Sequence, residues 1–205
     1  MILKKSFFEQ KTISVAQNLL GKFLVRRIGK NTLAGMIVET EAYVGPHDLA
    51  SHASKGKTER TKLMFEPAGT RYVYMIYGMY HCLNIVTEAK DYPAAVLIRA
   101  LELTEKVPSS QLTVPGKKKL RTNPRVIAKP ANGPGKLCRF LKIDKKINGT
   151  SAVSKNAKLY LEDREIRIPK NKIVKAKRVG VDYAGKWKNK PLRFYIEGNK
   201  FVSKK

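Results

Sequence analysis

The chain has 205 residues, a length that suits one domain, and its 42% hydrophobic content is enough for a packed core and excludes wholesale disorder. Lys and Arg number 42 against 16 Asp and Glu, a formal net charge of +26. So basic a chain is drawn to polyanions, nucleic acid first and an anionic membrane surface second; a lysine-rich proteome would raise the charge evenly, and here it is uneven.

In chain order, TISVAQNLL (residues 12–20) has the apolar spacing of a short helix, with Thr12 or Ser14 as its cap and Gly21 as its stop. KFLVRRI (22–28) and TLAGMIVETEAYV (32–44) read as strands joined by a turn at GKN. Residues 45–70 are polar and marked by Gly and Pro, so mostly loop, and a loop this long is ordinarily functional or mobile. RYVYMIY (71–77), YHCLNIVTE (80–88) and AAVLIRALEL (94–103) are further strands, the first two turning at Gly78. Residues 115–146 carry eleven Lys or Arg and one acid, Asp144; inside them Gly-Pro-Gly (133–135) precedes a short helix, KLCRFLKI. Beyond 151, AKLYLED and RFYIEG are strand-like. Many strands and few helices predict an α+β class: a single domain, residues 1–205, with a curved, mostly antiparallel sheet and a few short helices.

Cys82 and Cys138 cannot make a disulfide framework and are expected reduced in the core; with three histidines the chain has no zinc-ligand spacing. MILKKSFFEQ lacks a signal-peptide pattern, and no window reaches about 18 apolar residues, so a soluble cytoplasmic protein is expected, nucleoid-associated if bacterial.

Three stretches suggest chemistry. In IVETEAY, alternation puts Ile37, Glu39, Glu41 and Tyr43 on one face and Val38, Thr40 and Ala42 on the core face. Two carboxylates facing a polyanion need a reason; one is a general base at the bottom of a cleft, the other an exposed face that tolerates Glu. In RYVYMIYGMYHCLN four of the nine tyrosines fall within nine residues. A turn at Gly78 makes Tyr77, Met79 and Tyr80 project, as a wedge between stacked bases does, while Tyr74 lines a pocket; the alternative is a hairpin whose rings all pack inward. Lys136, beside a helix N-terminus after Gly-Pro-Gly, makes a phosphate site, unless the charge run is simply a solvated face. His52, Asn84 and Arg99 carry little information alone.

VETEAYVGPHDLASH, YVYMIYGMYHCLNIV, VLIRALE, NGPGKLC, RVGV and KPLRFY occur in the order and approximate spacing of the alkyladenine (3-methyladenine) DNA glycosylases of the mammalian type. The chain resembles this family from about Leu19 to Val202. The resemblance implies monomeric, monofunctional enzymes that remove damaged purines from duplex DNA, with no metal, no cofactor and no membrane partner. It implies Glu41 as the base that activates water, Arg99 as its partner, and Tyr43, His52 and Tyr74 as the enclosure of the flipped base. Asn84 would crowd the amino group of guanine, Tyr77 would intercalate beside Met79 and Tyr80, and Lys136 would meet phosphate. Two other readings stand beside it. A helix-hairpin-helix glycosylase shares the Gly-Pro-Gly turn but is mostly helical. A non-enzymatic nucleic-acid-binding module, like the carboxyl-terminal domain of methionyl-tRNA formyltransferase, would bind without dependence on Glu41.

Overall fold

The computed structural model describes residues 1–103, 131–154 and 156–204. The expected basic block therefore falls partly outside the described residues, at 115–130.

Alternating side chains build the first hairpin, β1 (Phe23–Ile28) and β2 (Asn31–Tyr43), which pair antiparallel from Phe23 with Met36 to Ile28 with Asn31. β3 (Arg71–Ile76) and β4 (Tyr80–Thr87) make a second hairpin, and β5 (Ala94–Leu103) runs antiparallel between β4 and β2. β6 (Ala131–Asn132) adds to β5, β7 (Leu159–Glu162) adds to β1, and β8 (Ile173–Ala176) pairs with β9 (Arg193–Ile196), which joins β2. The main path is β3-β4-β5-β2-β1-β7, and these pairings are all antiparallel. The sheet is open, and the helices α1 (Lys5–Phe8), α2 (Thr12–Asn18) and α3 (Pro134–Phe140) are short, which is the α+β class.

β2 organises the molecule. It is 13 residues long; one edge stays with β5, while the other pairs first with β1 and then with β9. Gly21 delivers the chain to β1 with φ of 84°, and a Cβ there would meet Ile168 Cγ1 at 3.0 Å and the Ile166 carbonyl at 3.2 Å, so only glycine makes this turn.

One face of the sheet carries the main core. Val15 and Ala16 of α2, and Leu19 that caps it, are fully buried with Ile37, Leu83, Ile85, Ile98, Leu101 and Phe194. Each large side chain stabilises by about 1.5–3 kcal/mol. The Thr40 hydroxyl donates to the Ala16 carbonyl at 2.8 Å, which fixes α2 on β2. α3 adds Leu137 and Cys138 to the same core; Cys82 and Cys138 are free and buried, as expected.

The cap expectation for α2 is overturned. Lys11 occupies the cap position without a side-chain hydrogen bond, and Thr12 is the first helical residue. Its hydroxyl is spent on Glu88 Oε1 at 2.6 Å and meets Thr87 Oγ1 at 3.0 Å, so a tertiary contact takes the group that local capping would use. α3 starts at Pro134 rather than after Gly-Pro-Gly, because proline suits the first helical position. Among the described residues no helix is long and apolar enough to cross a membrane.

Candidate active site

Simple alternation along β2 would align Ile37 with the two acids. Instead the register shifts between Ile37 and Glu39 and again between Glu39 and Thr40. Val38 is the extra residue on β2, and Arg99 the extra residue on β5. Ile37 thereby joins the main core with Leu101, and Val38 packs on the other face with Ala100 and Val202. This corrects the expected faces: Ile37 belongs to the core row, and Val38 does not. The paired irregularities also aim Arg99 at the acids.

Neither acid lies on an open surface; Glu39 and Glu41 are both 0% exposed. β9, the segment around Val179 and the carboxyl-terminal residues cover them. Glu39 accepts four hydrogen bonds from the described residues. Its Oε1 accepts from Arg99 Nε (2.9 Å), Arg193 Nη1 (2.9 Å) and Ser203 Oγ (3.0 Å), and its Oε2 accepts from the Ser203 amide (2.7 Å). Glu41 is held differently. Oε1 accepts from the Val179 amide at 2.8 Å and lies 3.2 Å from Arg99 Nη1, while Oε2 meets, among the described residues, only the Tyr43 hydroxyl, at 3.0 Å. Arg99 therefore bridges both carboxylates. Burial alone would lower its pKa, and the charges of Glu41 and Glu39 more than offset this, so it is raised.

Burial, then the Glu41 charge, raises the Tyr43 hydroxyl well above its ordinary value, which keeps it a hydrogen-bond donor to the carboxylate. Beside this pair stands an aromatic cluster from β3 and the 3-10 turn His52–Lys55. The His52 and Tyr74 rings lie 4.5 Å apart edge to face, Tyr72 and Tyr74 are 5.4 Å apart, and His52 Nδ1 is 2.9 Å from the Tyr72 hydroxyl. Burial, helped by Arg60 and Lys55, lowers the His52 pKa from 6.5 to about 4, so the ring is neutral at pH 7. Asn84 is buried on β4 opposite Tyr72 and donates to the Tyr72 carbonyl at 3.2 Å. Burial pushes the Cys82 thiol up to about 11, so it is no thiolate nucleophile at neutral pH.

The β3–β4 tip is the opposite kind of surface. Tyr77 is 85% exposed and Met79 65%. Tyr77 and Gly78 have φ of 51° and 66°, the signs of a type I′ turn, and a left-handed tyrosine is strained by about 1–2 kcal/mol. Tyr80 departs from the expected projection. It is half-buried, 3.0 Å from where a Cβ on Gly135 would sit, with Arg139 5.3 Å over its ring. Glycine at 135 lets α3 approach this ring, so the tip proper is Tyr77 and Met79. Lys136 is exposed on α3 and donates to Asn132 Oδ1 at 3.0 Å.

Arg193, Ser203, Arg178 and Asp48 are absent from the sequence reading. Arg178 and Asp48 lie inside the quoted motifs RVGV and VETEAYVGPHDLASH, yet their pairing spans 130 positions and no local pattern reports it. Among the described residues no group of three or more His, Cys, Asp or Glu is placed to hold a metal ion.

Comparison with known proteins adds a family to this geometry. The family model described as methylpurine-DNA glycosylase matches residues 6–200. A protein of Clostridium perfringens (strain 13 / Type A), named "Putative 3-methyladenine DNA glycosylase", is 46% identical over 206 residues, covering 100% of both chains. Proteins of the same name from Methanocella arvoryzae and Legionella pneumophila (strain Corby) are 46% and 44% identical, covering 100% and 98% of this chain and 96% and 98% of theirs. With the match running through β2, the β3–β4 hairpin and α3, the chain belongs to the methylpurine-DNA glycosylase family and is a DNA glycosylase.

Proposed function

We propose that the protein flips alkylated or deaminated purines, of the 3-methyladenine, hypoxanthine and ethenoadenine class, out of duplex DNA and hydrolyses their N-glycosidic bond. The observation that carries this reading is the contrast within β2. Among the described residues each acid has one oxygen with a single donor, but for Glu39 that donor is the backbone amide of Ser203, whereas for Glu41 it is the Tyr43 hydroxyl, a side chain able to turn away, beside the His52–Tyr74 rings.

A base inside the stack cannot be attacked, so it is swung out at a cost of a few kcal/mol. Tyr77, exposed and already held in a strained turn, fills the gap, with Met79 beside it. The base enters among Tyr43, His52 and Tyr74. Entry displaces the Tyr43 hydroxyl from Glu41 Oε2 and admits a water in its place. Water then attacks the anomeric carbon, Glu41 takes its proton, and the bonding pair leaves with the base. Arg99 holds the carboxylate in place throughout. A cationic purine departs as a neutral molecule and is favoured by the aromatic faces by about 1–2 kcal/mol. Neutral His52 supports this, because an imidazolium would repel such a base. Asn84 stands where an exocyclic amino group of guanine would collide, and exposed Lys136 is free to meet the phosphate backbone of the duplex.

The test is base release from duplexes carrying 3-methyladenine, hypoxanthine or ethenoadenine, by wild type and Glu41→Gln. Wild type releases the base and the variant binds without releasing it. Binding by both with release by neither would leave a binding module. Borohydride should trap no protein–DNA adduct, since water and not a lysine is the nucleophile.

A further inference from the structure

Asp48 and Arg178 form an ion pair whose side chains are both 0% exposed. Arg178 Nη1 donates to Asp48 Oδ2 at 2.5 Å and Nη2 to Oδ1 at 2.7 Å, a bidentate fork. Nη1 also donates to the Ala42 carbonyl at 2.9 Å. Asp48 accepts the amides of Val44 (3.2 Å) and Ala50 (3.1 Å). The guanidinium carbon lies 4.7 Å over the Tyr43 ring, and the next residue, Val179, is the one whose amide holds Glu41 at 2.8 Å.

Stability is a poor reason for this pair. Taking two ions out of water is expensive, and apolar side chains of similar volume generally fill such a space as well or better. Arg178 Nε is moreover a buried donor with no partner among the described residues. What the pair does is fix geometry. It ties together the end of β2, the 44–50 turn that leads into His52, the Tyr43 ring and the segment after β8 that carries the Val179 amide.

We propose that Asp48 and Arg178 are positioning residues for base excision: together they hold Val179 against Glu41 and Tyr43 against the slot, and so set the distance between the carboxylate and the flipped purine. Asp48 has a second task, because it neutralises a guanidinium that would otherwise repel a cationic base. The inference rests on Glu41 being the base that activates water.

The double variant Asp48→Leu/Arg178→Met separates positioning from folding. Three quantities are measured: the thermal midpoint, the affinity for a duplex with an abasic-site analogue, and the single-turnover release of hypoxanthine at saturating enzyme. The expected result is a midpoint at or above that of wild type and unchanged abasic-duplex affinity, with release slowed about 10- to 100-fold by the loosened geometry. Arg178→Lys keeps the charge without the fork and does not rescue the rate. Asp163→Asn, which breaks the Lys22–Asp163 pair (2.7 Å) elsewhere, leaves the rate unchanged. Release at the wild-type rate by the double variant overturns the proposal, as does a collapsed midpoint, which would make the pair structural. Glu41→Gln is run alongside: if it releases base normally, the assignment of the base is wrong, a failure distinct from that of the pair.

Discussion

The acid centre on β2 and the tip of the β3–β4 hairpin are both polar-aromatic, yet they are built on opposite principles. At the centre, Glu39 and Glu41 have no exposure, and their oxygens are met by Arg99, Arg193, Ser203, Val179 and Tyr43. At the tip, Tyr77 is 85% exposed and left-handed. On the function proposed above, the centre has to hold a water to within a fraction of an ångström, and a rigid surround of fixed donors suits that task. The tip would have to enter another molecule, and a ring that waits in solvent, with its strain held by the turn and not by packing, suits that one.

Several experiments would break or sharpen this contrast. The largest effect belongs to Glu41→Gln: single-turnover base release falls by about 10²–10⁴-fold while duplex affinity is retained, read by product formation and by gel-shift titration. Glu39→Ala should act on folding instead. It strands Arg99 and Arg193 in a buried space, costing about 3–5 kcal/mol, seen as a lowered midpoint in urea. If Glu39→Ala spares stability and Glu41→Gln does not, the roles of the two acids are exchanged.

Tyr77→Ala comes next. It should slow excision from duplex DNA about tenfold or more through the lost wedge. Encounter with undamaged duplex should be unaffected; equal loss for lesion and undamaged DNA contradicts the wedge. Tyr77→Asn refines this, because Asn-Gly suits a type I′ turn. Relief of about 1 kcal/mol should raise the thermal midpoint by about 2–4 °C while excision falls. A variant that gains neither stability nor loses activity would show that the tip is ordinary surface.

The smallest effect is a pH dependence. Folded His52 titrates at about 4 against 6.5 in the unfolded chain, so the unfolded state binds the extra proton between those values. Stability is therefore full above pH 6.5 and declines as the pH falls toward 4. Comparing unfolding midpoints of wild type and His52→Gln across pH 4–7 should show the wild type losing more on the acid side. Parallel curves would mean that His52 is not buried as described.

Much of this was legible locally. The strands from Phe23 to Leu103 follow from period-two patterns and from Gly29 and Gly78 as turns. α1, β6 and β8 escape because KSFF and AN are too short to show a period and IVKA sits within a lysine-rich run, whereas the equally short β7 and β9 are marked by aromatic and branched residues in LYLE and RFYI. The faces of Ile37 and Val38 were misread because a bulge inverts parity without leaving any trace in composition. Adjacency to Met79 puts Tyr80 at the tip in sequence, whereas its contact with Gly135 on α3, remote in sequence, draws it away from the tip in the fold.

The sequence by itself determined the strand-rich class, the basic character, the family resemblance and the residue types gathered at Glu41 and Tyr77. Tertiary structure alone decided that Glu39 is locked by two arginines and the Ser203 backbone while one Glu41 oxygen is met by the Tyr43 side chain, and that Arg178 reaches Asp48 behind Tyr43. The reason is range: alternation and turn chemistry act over a few residues, whereas a buried charge is defined by partners that the fold brings from more than a hundred positions away.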